Sequence, residues 1–362
     1  MKIITVIGTR PELIRLSIII EKLDTIIDDH ILVYTNQNYD YNLSTRFFDE
    51  MKIRKPNYYF QKEAKSFGDY LSSAVIDFEN IILKEKPNKM LVLGDTNSGL
   101  LSIVAQKYKI PVYHMEAGNR CYDERLPEEA NRKIIDSVSK YNLPYTENSK
   151  QNLLNEGYHK NFVFKTGNPI YEVLNKFKDQ INKSIMMYEW DLQDIKTDVV
   201  KNYVLVTTHR TENVDNEETL RNIVMALNEI AENFKVVFSL HPRTKNKLEK
   251  FNIKLSDKML VSSPLGFFDF VKLEKNAMCV ISDSGTVQEE CCILHVPAVT
   301  IRESTERQET IECGSNVLCG TKTENIVDAF YAVINKKNNW NVPEDYLSIN
   351  VSDIVINILM GK

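Results

Sequence analysis

Gly94-Asp95-Thr96-Asn97-Ser98, His114-Met115-Glu116-Ala117-Gly118-Asn119-Arg120 and Pro127-Glu128-Glu129-Ala130-Asn131-Arg132 belong to one stretch, residues 94–132, whose reading decides the fold. Two short apolar runs, Met90–Leu93 and Ile110–Tyr113, each deliver a carboxylate just beyond their C-terminal end. Apolar runs that alternate with helical patterns imply a parallel sheet covered on both faces. In such a sheet, ligands bind outside the carboxyl ends of the strands. Asp95 and Glu116 are therefore expected in one crevice, and Glu128 can join them from the first turn of the helix that Pro127 opens. Glu128 and Glu129 also complement the positive end of that helix. For one of the two, that role is expected to be the whole explanation. Three converging acids are more than a fold needs, so this stretch reads as the chemical half of an active site.

Upstream, residues 2–7 read as a buried strand that ends at Gly8, and Pro11 sits at a helix start. Arg10 and Arg15 flank that helix N-terminus, a place suited to an anion; two surface arginines on an amphipathic helix explain them equally well. The dinucleotide fingerprint GxGxxG is absent. His30–Thr35 is a second strand, followed by the polar aromatic loop Asn36–Tyr41. Helices are expected at 67–85, 97–108, 127–140 and from Asn148, with strands at 89–93, 110–114 and 143–146. The turn Thr166-Gly167-Asn168-Pro169 closes the first half, and residues 170–200 serve as linker and first helix of the second.

A second series follows, with strands at 203–208, 235–240, 258–262, 278–282 and 297–301. Helices at 216–233, 244–252, 267–276 and 285–294 alternate with them, and helices at 323–336 and 351–361 finish the chain. The expected fold is α/β, with two Rossmann-like domains facing a cleft, 1–169 and 170–350. The C-terminal helix 351–362 is a candidate to pack back onto the first.

The second series carries its own strand-end groups. Thr208-His209-Arg210 and His241-Pro242-Arg243 each follow a strand directly. A lone histidine there is usually structural, but two His/Arg pairs at two strand ends suit an anionic ligand: arginine matches phosphate geometry, and histidine can donate to a leaving oxygen. In Ser282-Asp283-Ser284-Gly285-Thr286, free backbone N–H groups at the start of a helix make an anion cradle, against the plainer reading of an Asp/Ser N-cap. Glu290 on that helix could hold a ribose. Arg302 and Arg307, the latter in Thr305-Glu306-Arg307, add cations past the next strand end, and Phe267, Phe268 and Phe270 are candidates to stack on a base, two of them better read as core.

Composition bounds the rest. At 362 residues, 43% hydrophobic and 26% charged, with a net charge of −5, the chain is an ordinary globular protein, and nothing favours a sequence-independent grip on nucleic acid. The six cysteines show no metal-type spacing and are expected as reduced thiols in a cytoplasmic protein. No metal set is apparent, and no apolar run is long enough for a membrane helix.

These residues resemble the UDP-N-acetylglucosamine 2-epimerase family over essentially the full length. The resemblance rests on Gly8-Thr9-Arg10-Pro11-Glu12, Gly94-Asp95-Thr96, Glu116-Ala117-Gly118, Pro127-Glu128-Glu129-Ala130-Asn131-Arg132, Thr208-His209-Arg210, Asp283-Ser284-Gly285 with Gln288-Glu289-Glu290, and Thr305-Glu306-Arg307. It implies a glycosyltransferase-B-like fold, a homodimer, and no nicotinamide or metal requirement. It also implies a reaction: anti elimination of UDP across C1–C2 to a 2-acetamidoglucal, then re-addition with C2 inverted. By position, Asp95, Glu116, Glu128 and His209 are the catalytic set. Arg10, Arg15, His241, Phe270, Ser284, Gly285, Glu290 and Arg307 fall on nucleotide-binding positions, with Arg210, Arg243 and Thr286 beside them.

Some residues depart from the family pattern. Gln37-Asn38-Tyr39-Asp40 lacks a histidine that helps form an activator pocket in members that have it. Thr286 replaces a glycine, Arg15 a lysine, and Gln308 follows Arg307 where proline is usual. The combination of Asn36-Gln37-Asn38-Tyr39-Asp40-Tyr41, Asp95-Thr96-Asn97-Ser98 and His114-Met115-Glu116-Ala117-Gly118-Asn119-Arg120-Cys121 is similar to a capsule and O-antigen branch, some of whose members epimerise 6-deoxy UDP-sugars on the route to UDP-N-acetyl-L-fucosamine. A glycosyltransferase, a hydrolysing epimerase and a non-catalytic nucleotide-sugar sensor are the remaining alternatives, the last disfavoured by four aligned catalytic-type residues.

Overall fold

Lys2–Ile7 forms β1, buried beyond its first residue, as befits a strand that helices cover on both faces. The computed structural model describes residues 1–36, 41–60, 66–337 and 339–361, the side chains of 41–45 excepted. In the first half, β1 is joined by β2 (Asp29–Tyr34), β3 (Tyr58–Tyr59), β4 (Lys89–Leu93), β5 (Val112–Met115) and β6 (Tyr141–Leu143). They form one six-stranded sheet in the order β3-β2-β1-β4-β5-β6, parallel throughout. The second half holds β7 (Tyr203–Thr207), β8 (Lys235–Ser239), β9 (Leu260–Ser262), β10 (Cys279–Ser282), β11 (Ala298–Thr300) and β12 (Asn316–Leu318). Their order is β12-β11-β10-β7-β8-β9, again parallel.

Each sheet winds outward in both directions from a central pair, β1/β4 in one and β7/β10 in the other. That reversal of direction is where a doubly wound sheet leaves a crevice at its strand ends. Two such sheets in one chain are the glycosyltransferase-B-like fold. Separate apolar clusters hold them: Ile4, Val6, Val33, Phe78 and Val92 in the first, and Val204, Val206, Leu227, Phe238 and Phe330 in the second.

One compact unit comprises Met1–Val173 with Glu344–Lys362, and the other Leu174–Pro343. The first unit thus runs past residue 169, and the chain returns to it at Glu344 rather than at 351. The C-terminal helix Val351–Met360 packs on the helix Arg10–Ile26. Ser352 N–H donates to Glu172 Oε2 at 2.9 Å. Buried Lys89, at the start of β4, donates to the carbonyls of Leu359 and Gly361 at 2.5 and 2.8 Å.

Other elements differ from expectation for local reasons. The strand expected at 143–146 lies at Tyr141–Leu143, where Tyr141 stacks on Tyr113 of β5 with ring centroids 4.7 Å apart. The helix expected at 97–108 begins as a 3₁₀ turn, Gly99–Leu101, before Ser102–Lys107. β3 and β12 are too short to show a period-2 pattern. The helix Tyr41–Glu50 starts where a loop was expected; Gln37-Asn38-Tyr39-Asp40 lies outside the described residues.

Candidate active site

In the first unit the β1 turn, the β4 turn and the end of β5 meet at the switch point. Gly8 is required there: a Cβ would lie 1.9 Å from Ser98 Oγ and 2.4 Å from Thr35 Oγ1. Glu12, almost fully buried, ties the turns together. Its Oε2 accepts the N–H groups of Gly8 and Thr9 at 2.6 and 2.7 Å, and its Oε1 accepts the hydroxyl of Thr96, beside Asp95, at 2.6 Å. Burial pushes this carboxyl up to about 7, against the pull of its donors.

Asp95 follows Gly94, whose φ is +75°. Its Oδ2 pairs with Arg132 Nη2 at 2.7 Å, and its carbonyl accepts from Asn131 at 2.9 Å. Glu116, directly after β5, has φ +66°, a left-handed conformation that costs a non-glycine residue about 1–2 kcal/mol. Such strain persists where the surroundings over-determine it and gathers at functional sites. Here Arg15 Nη1 donates to Glu116 Oε2 at 2.6 Å, both side chains being buried, and Asn119 reaches Oε1 at 3.4 Å.

The two adjacent glutamates divide cleanly. Glu129 is buried and accepts from Cys121 N–H, Tyr122 N–H and Arg132 at 3.1, 3.3 and 2.7 Å. Burial works to raise its carboxyl, but the Cys121 and Arg132 contacts outweigh this and hold it below the usual range. Glu129 is therefore the structural one. Glu128 is half-buried on the first turn of the helix Pro127–Val138. His114 is also structural: it is buried, with ring nitrogens 2.8 Å from Asp136 and 2.8 Å from the Gly94 carbonyl. Arg10 lies over the Phe47 ring, 5.2 Å from its centroid.

In the second unit the organiser is Asp283, whose side chain is inaccessible to solvent. Its Oδ2 accepts from Thr208 Oγ1 at 2.5 Å, from His209 and Arg210 N–H at 3.0 Å each, and from Asn213 Nδ2 at 3.1 Å. Its carbonyl accepts from Arg210 Nε at 3.0 Å. One carboxylate thus folds the turn after β7 against the turn after β10, where sequence suggested only a cap. His209 projects from that turn, 38% exposed, with Nδ1 3.6 Å from Asp283 Oδ1. Its ring centroid is 5.3 Å from that of His241. His241 Nδ1 accepts from Arg243 N–H at 3.2 Å, which leaves Nε2 to carry the proton of the neutral ring.

Beside them begins the helix Gly285–Leu294. Its N-cap, Ser284, makes no side-chain capping bond; Ser284 Oγ lies instead 3.0 Å from Thr286 Oγ1. A Cβ on Gly285 would lie 2.8 Å from Glu306 Oε1, so a carboxylate already stands at this helix N-terminus. Arginines surround it: Arg302 at 3.0 Å, Arg307 at 3.7 Å and Arg210 at 3.9 Å. Arg307 Nε is also 2.6 Å from Glu289. Glu290 is buried next to Glu274, whose carboxyl is raised well above its ordinary value by burial and by the charge of Glu290.

Two expected ligands are less engaged. Arg243 is paired with Asp215, Nε to Oδ1 at 3.1 Å, and Phe270 is half-buried against the cluster around Leu205 and Leu273. Phe267 is core, and Phe268 lies against Phe177 with centroids 5.4 Å apart. Glu12 and Asp283 stand in motifs the sequence displayed, but sequence reasoning gave neither an organising role of its own. Arg302, expected as a cation past a strand end, is buried against Glu306. Among the described residues, no cluster of three or more His, Cys, Asp or Glu is arranged for a metal ion, and no helix is long and apolar enough to cross a membrane.

Two doubly wound units, one with carboxylates directly past its strand ends and one with an arginine-ringed helix N-terminus, define a glycosyltransferase-B-like α/β protein. The chain belongs to the UDP-N-acetylglucosamine 2-epimerase family, whose model matches residues 22–360. It is 42% identical over 353 residues to a UDP-N-acetylglucosamine 2-epimerase of Methanocaldococcus jannaschii, covering 95% of each chain. It is 35% identical to the UDP-2,3-diacetamido-2,3-dideoxy-D-glucuronate 2-epimerase of Pseudomonas aeruginosa, covering 91% of each. The solved M. jannaschii UDP-GlcNAc 2-epimerase, in complex with UDP-GlcNAc and UDP, superposes with a TM-score of 0.92 at 39% identity and 99% coverage of both chains.

Proposed function

We propose that this protein is a non-hydrolysing C2 epimerase that interconverts UDP-N-acetylglucosamine and UDP-N-acetylmannosamine. The observation that carries the proposal is Glu116, a carboxylate kept in a strained backbone conformation against Arg15 at the strand ends that also carry Asp95. Fold alone does not require a left-handed glutamate there.

The proton at C2 of a sugar is barely acidic. Breaking the C1–O bond first, with UDP as the leaving group, acidifies it. A carboxylate within reach then takes the proton, a contribution of about 10²–10⁴-fold. Asp95, Glu116 and Glu128 are assigned to these proton transfers. Arg210, Arg307 and the Gly285 N–H end are assigned to the diphosphate, whose developing charge they stabilise. His209, with its ring outside the carboxylate that fixes its backbone, is assigned to the leaving oxygen. Glu290 takes the ribose, and Arg10, His241, Ser284 and Thr286 complete the nucleotide contacts. No step calls for a metal or a redox cofactor.

A different UDP-sugar is the second reading, favoured by the 35% identity to an epimerase named for a diacetamido-glucuronate. The 6-deoxy substrate on the route to UDP-N-acetyl-L-fucosamine belongs to the same class of alternative. We further propose a homodimer, because the helix Phe67–Glu85 leaves Phe67, Ile76 and Leu83 exposed; sedimentation at micromolar protein tests it. Free thiols at all six cysteines fit a reducing cytoplasm.

Incubation with UDP-N-acetylglucosamine in D₂O, followed by NMR, tests the reaction. Deuterium at C2 of a sugar still attached to UDP is expected. Free sugar indicates hydrolysis, and protium retained at C2 indicates transfer or binding alone. Inertness with this donor but turnover of another UDP-sugar reassigns the substrate and keeps the chemistry.

A further inference from the structure

Cys292 and Cys313 take no part in the chemistry above. Cys292 lies near the end of the helix Gly285–Leu294 and is fully buried; Cys313 follows the helix Gln308–Glu312 and is half-buried. Their sulfurs are 3.7 Å apart. Cys313 Sγ is also 3.3 Å from Ser315 Oγ. The contact from Cys292 draws Cys313 down to about 6 despite its burial, with Ser315 helping, and pushes Cys292 well up. Cys121, Cys279, Cys291 and Cys319 are all raised, mainly by burial. Two thiols are therefore in contact, of which half-buried Cys313 is both the more accessible and the more readily ionised, as a nucleophile must be.

The pair is wired to the anion cradle. The helix of Cys292 carries Glu289, which holds Arg307 at 2.6 Å. The segment of Cys313 begins at Arg307: Thr310 hydroxyl donates to the Arg307 carbonyl at 2.7 Å, and Ser315 hydroxyl to the Thr310 carbonyl at 3.1 Å. The Glu289–Arg307 ion pair and the Cys292–Cys313 contact thus join the same two pieces of chain.

We propose that Cys313 and Cys292 form an oxidation site, in which a peroxide converts the contact into a disulfide that shifts Arg307 and weakens the hold on an anionic ligand. Cys313 sulfur bonds to one peroxide oxygen as the O–O bond breaks, and the departing hydroxide takes up a proton to leave as water. Cys292 sulfur then attacks the resulting sulfenic acid. The S–O bond breaks, and its oxygen leaves as a second water with the Cys292 proton. Two electrons pass from the two sulfurs to the peroxide. Closure brings the sulfurs from 3.7 Å to a bond of about 2 Å, drawing the Cys313 segment toward the helix that carries Glu289.

The test treats the full chain with hydrogen peroxide, maps cross-links by peptide mass, and measures UDP binding by calorimetry. The cross-link arm is independent of the epimerase proposal; the UDP arm rests on it, and a reduced protein that fails to bind UDP sinks that proposal without touching the thiol chemistry. The expected results are a 292–313 link and a roughly tenfold or greater loss of UDP affinity, restored by dithiothreitol. C313S and C292S should bind UDP like the parent and ignore peroxide. Should either variant misfold, iodoacetamide on the parent at neutral pH decides the nucleophile, with Cys313 expected to be alkylated first. Absence of the link, faster alkylation of Cys121 or Cys319, or a link with unchanged UDP affinity overturns the proposal.

Discussion

Asp283→Asn is the most informative single substitution. In the native protein, Oδ2 accepts from Thr208, His209, Arg210 and Asn213 at 2.5–3.1 Å in a site without solvent. An amide keeps a carbonyl oxygen but loses the charge, so each bond falls from about 1.5–3 to about 0.5–1.5 kcal/mol. Four bonds then lose roughly 4 kcal/mol, and the amide N–H groups gain no acceptor. For a unit of this size that lowers the melting temperature by roughly 10 °C. The assay is selective, because both tryptophans, Trp190 and Trp340, lie within Leu174–Pro343, so tryptophan fluorescence reports that unit alone. Below the transition, turnover should fall about 10²-fold as the His209 turn loses its anchor. A melt within about 2 °C of the parent, with unchanged turnover, would refute the role given to Asp283.

The adjacent glutamates should separate: Glu129→Gln breaks a buried pair with Arg132 and should cost roughly 3 kcal/mol in urea unfolding, whereas Glu128→Gln should stay within about 0.5 kcal/mol yet slow C2 deuterium exchange by at least about 10²-fold. Asp95→Asn and Glu116→Gln should abolish that exchange while calorimetry still detects UDP binding; loss of binding instead would make them structural. Arg15→Met leaves buried Glu116 without its guanidinium and should destabilise the first unit by roughly 3 kcal/mol, while Arg15→Lys, which keeps the charge, should retain measurable turnover. Burial raises Glu12 to about 7, so the folded state holds its proton more tightly than the unfolded chain. The stability this confers is complete below about pH 4.5 and falls by roughly 3 kcal/mol as pH rises through 7; Glu12→Gln should flatten that part of the curve in unfolding measured from pH 5 to 8.

What the sequence made legible was whatever a local period or a strand end could report. The β4 and β5 runs announced where Asp95 and Glu116 would emerge, and Pro127 marked the start of a helix found at Pro127–Val138. Choosing between Glu128 and Glu129 needed the face that the helix buries, which adjacent identical residues do not reveal. Asp283 looked like a turn residue because its partners at 208–213 are distant in sequence and near only through the β7–β10 pairing. From sequence, Arg243 reads as a phosphate ligand with no sight of its ion pair to Asp215, a partner invisible to a strand-end argument. Cys292 and Cys313, in separate helical segments, meet only when those segments fold together.

The buried Lys89 ammonium has a consequence for how the chain matures on the ribosome. Its carbonyl partners, Leu359 and Gly361, are made after the whole of Leu174–Pro343, which is contiguous and can fold as it emerges. The β4 strand must therefore wait, with a cation facing an unfinished interior, until the helix Val351–Met360 has been made. Deleting that helix is thus expected to weaken the earlier-made sheet and leave the later one standing.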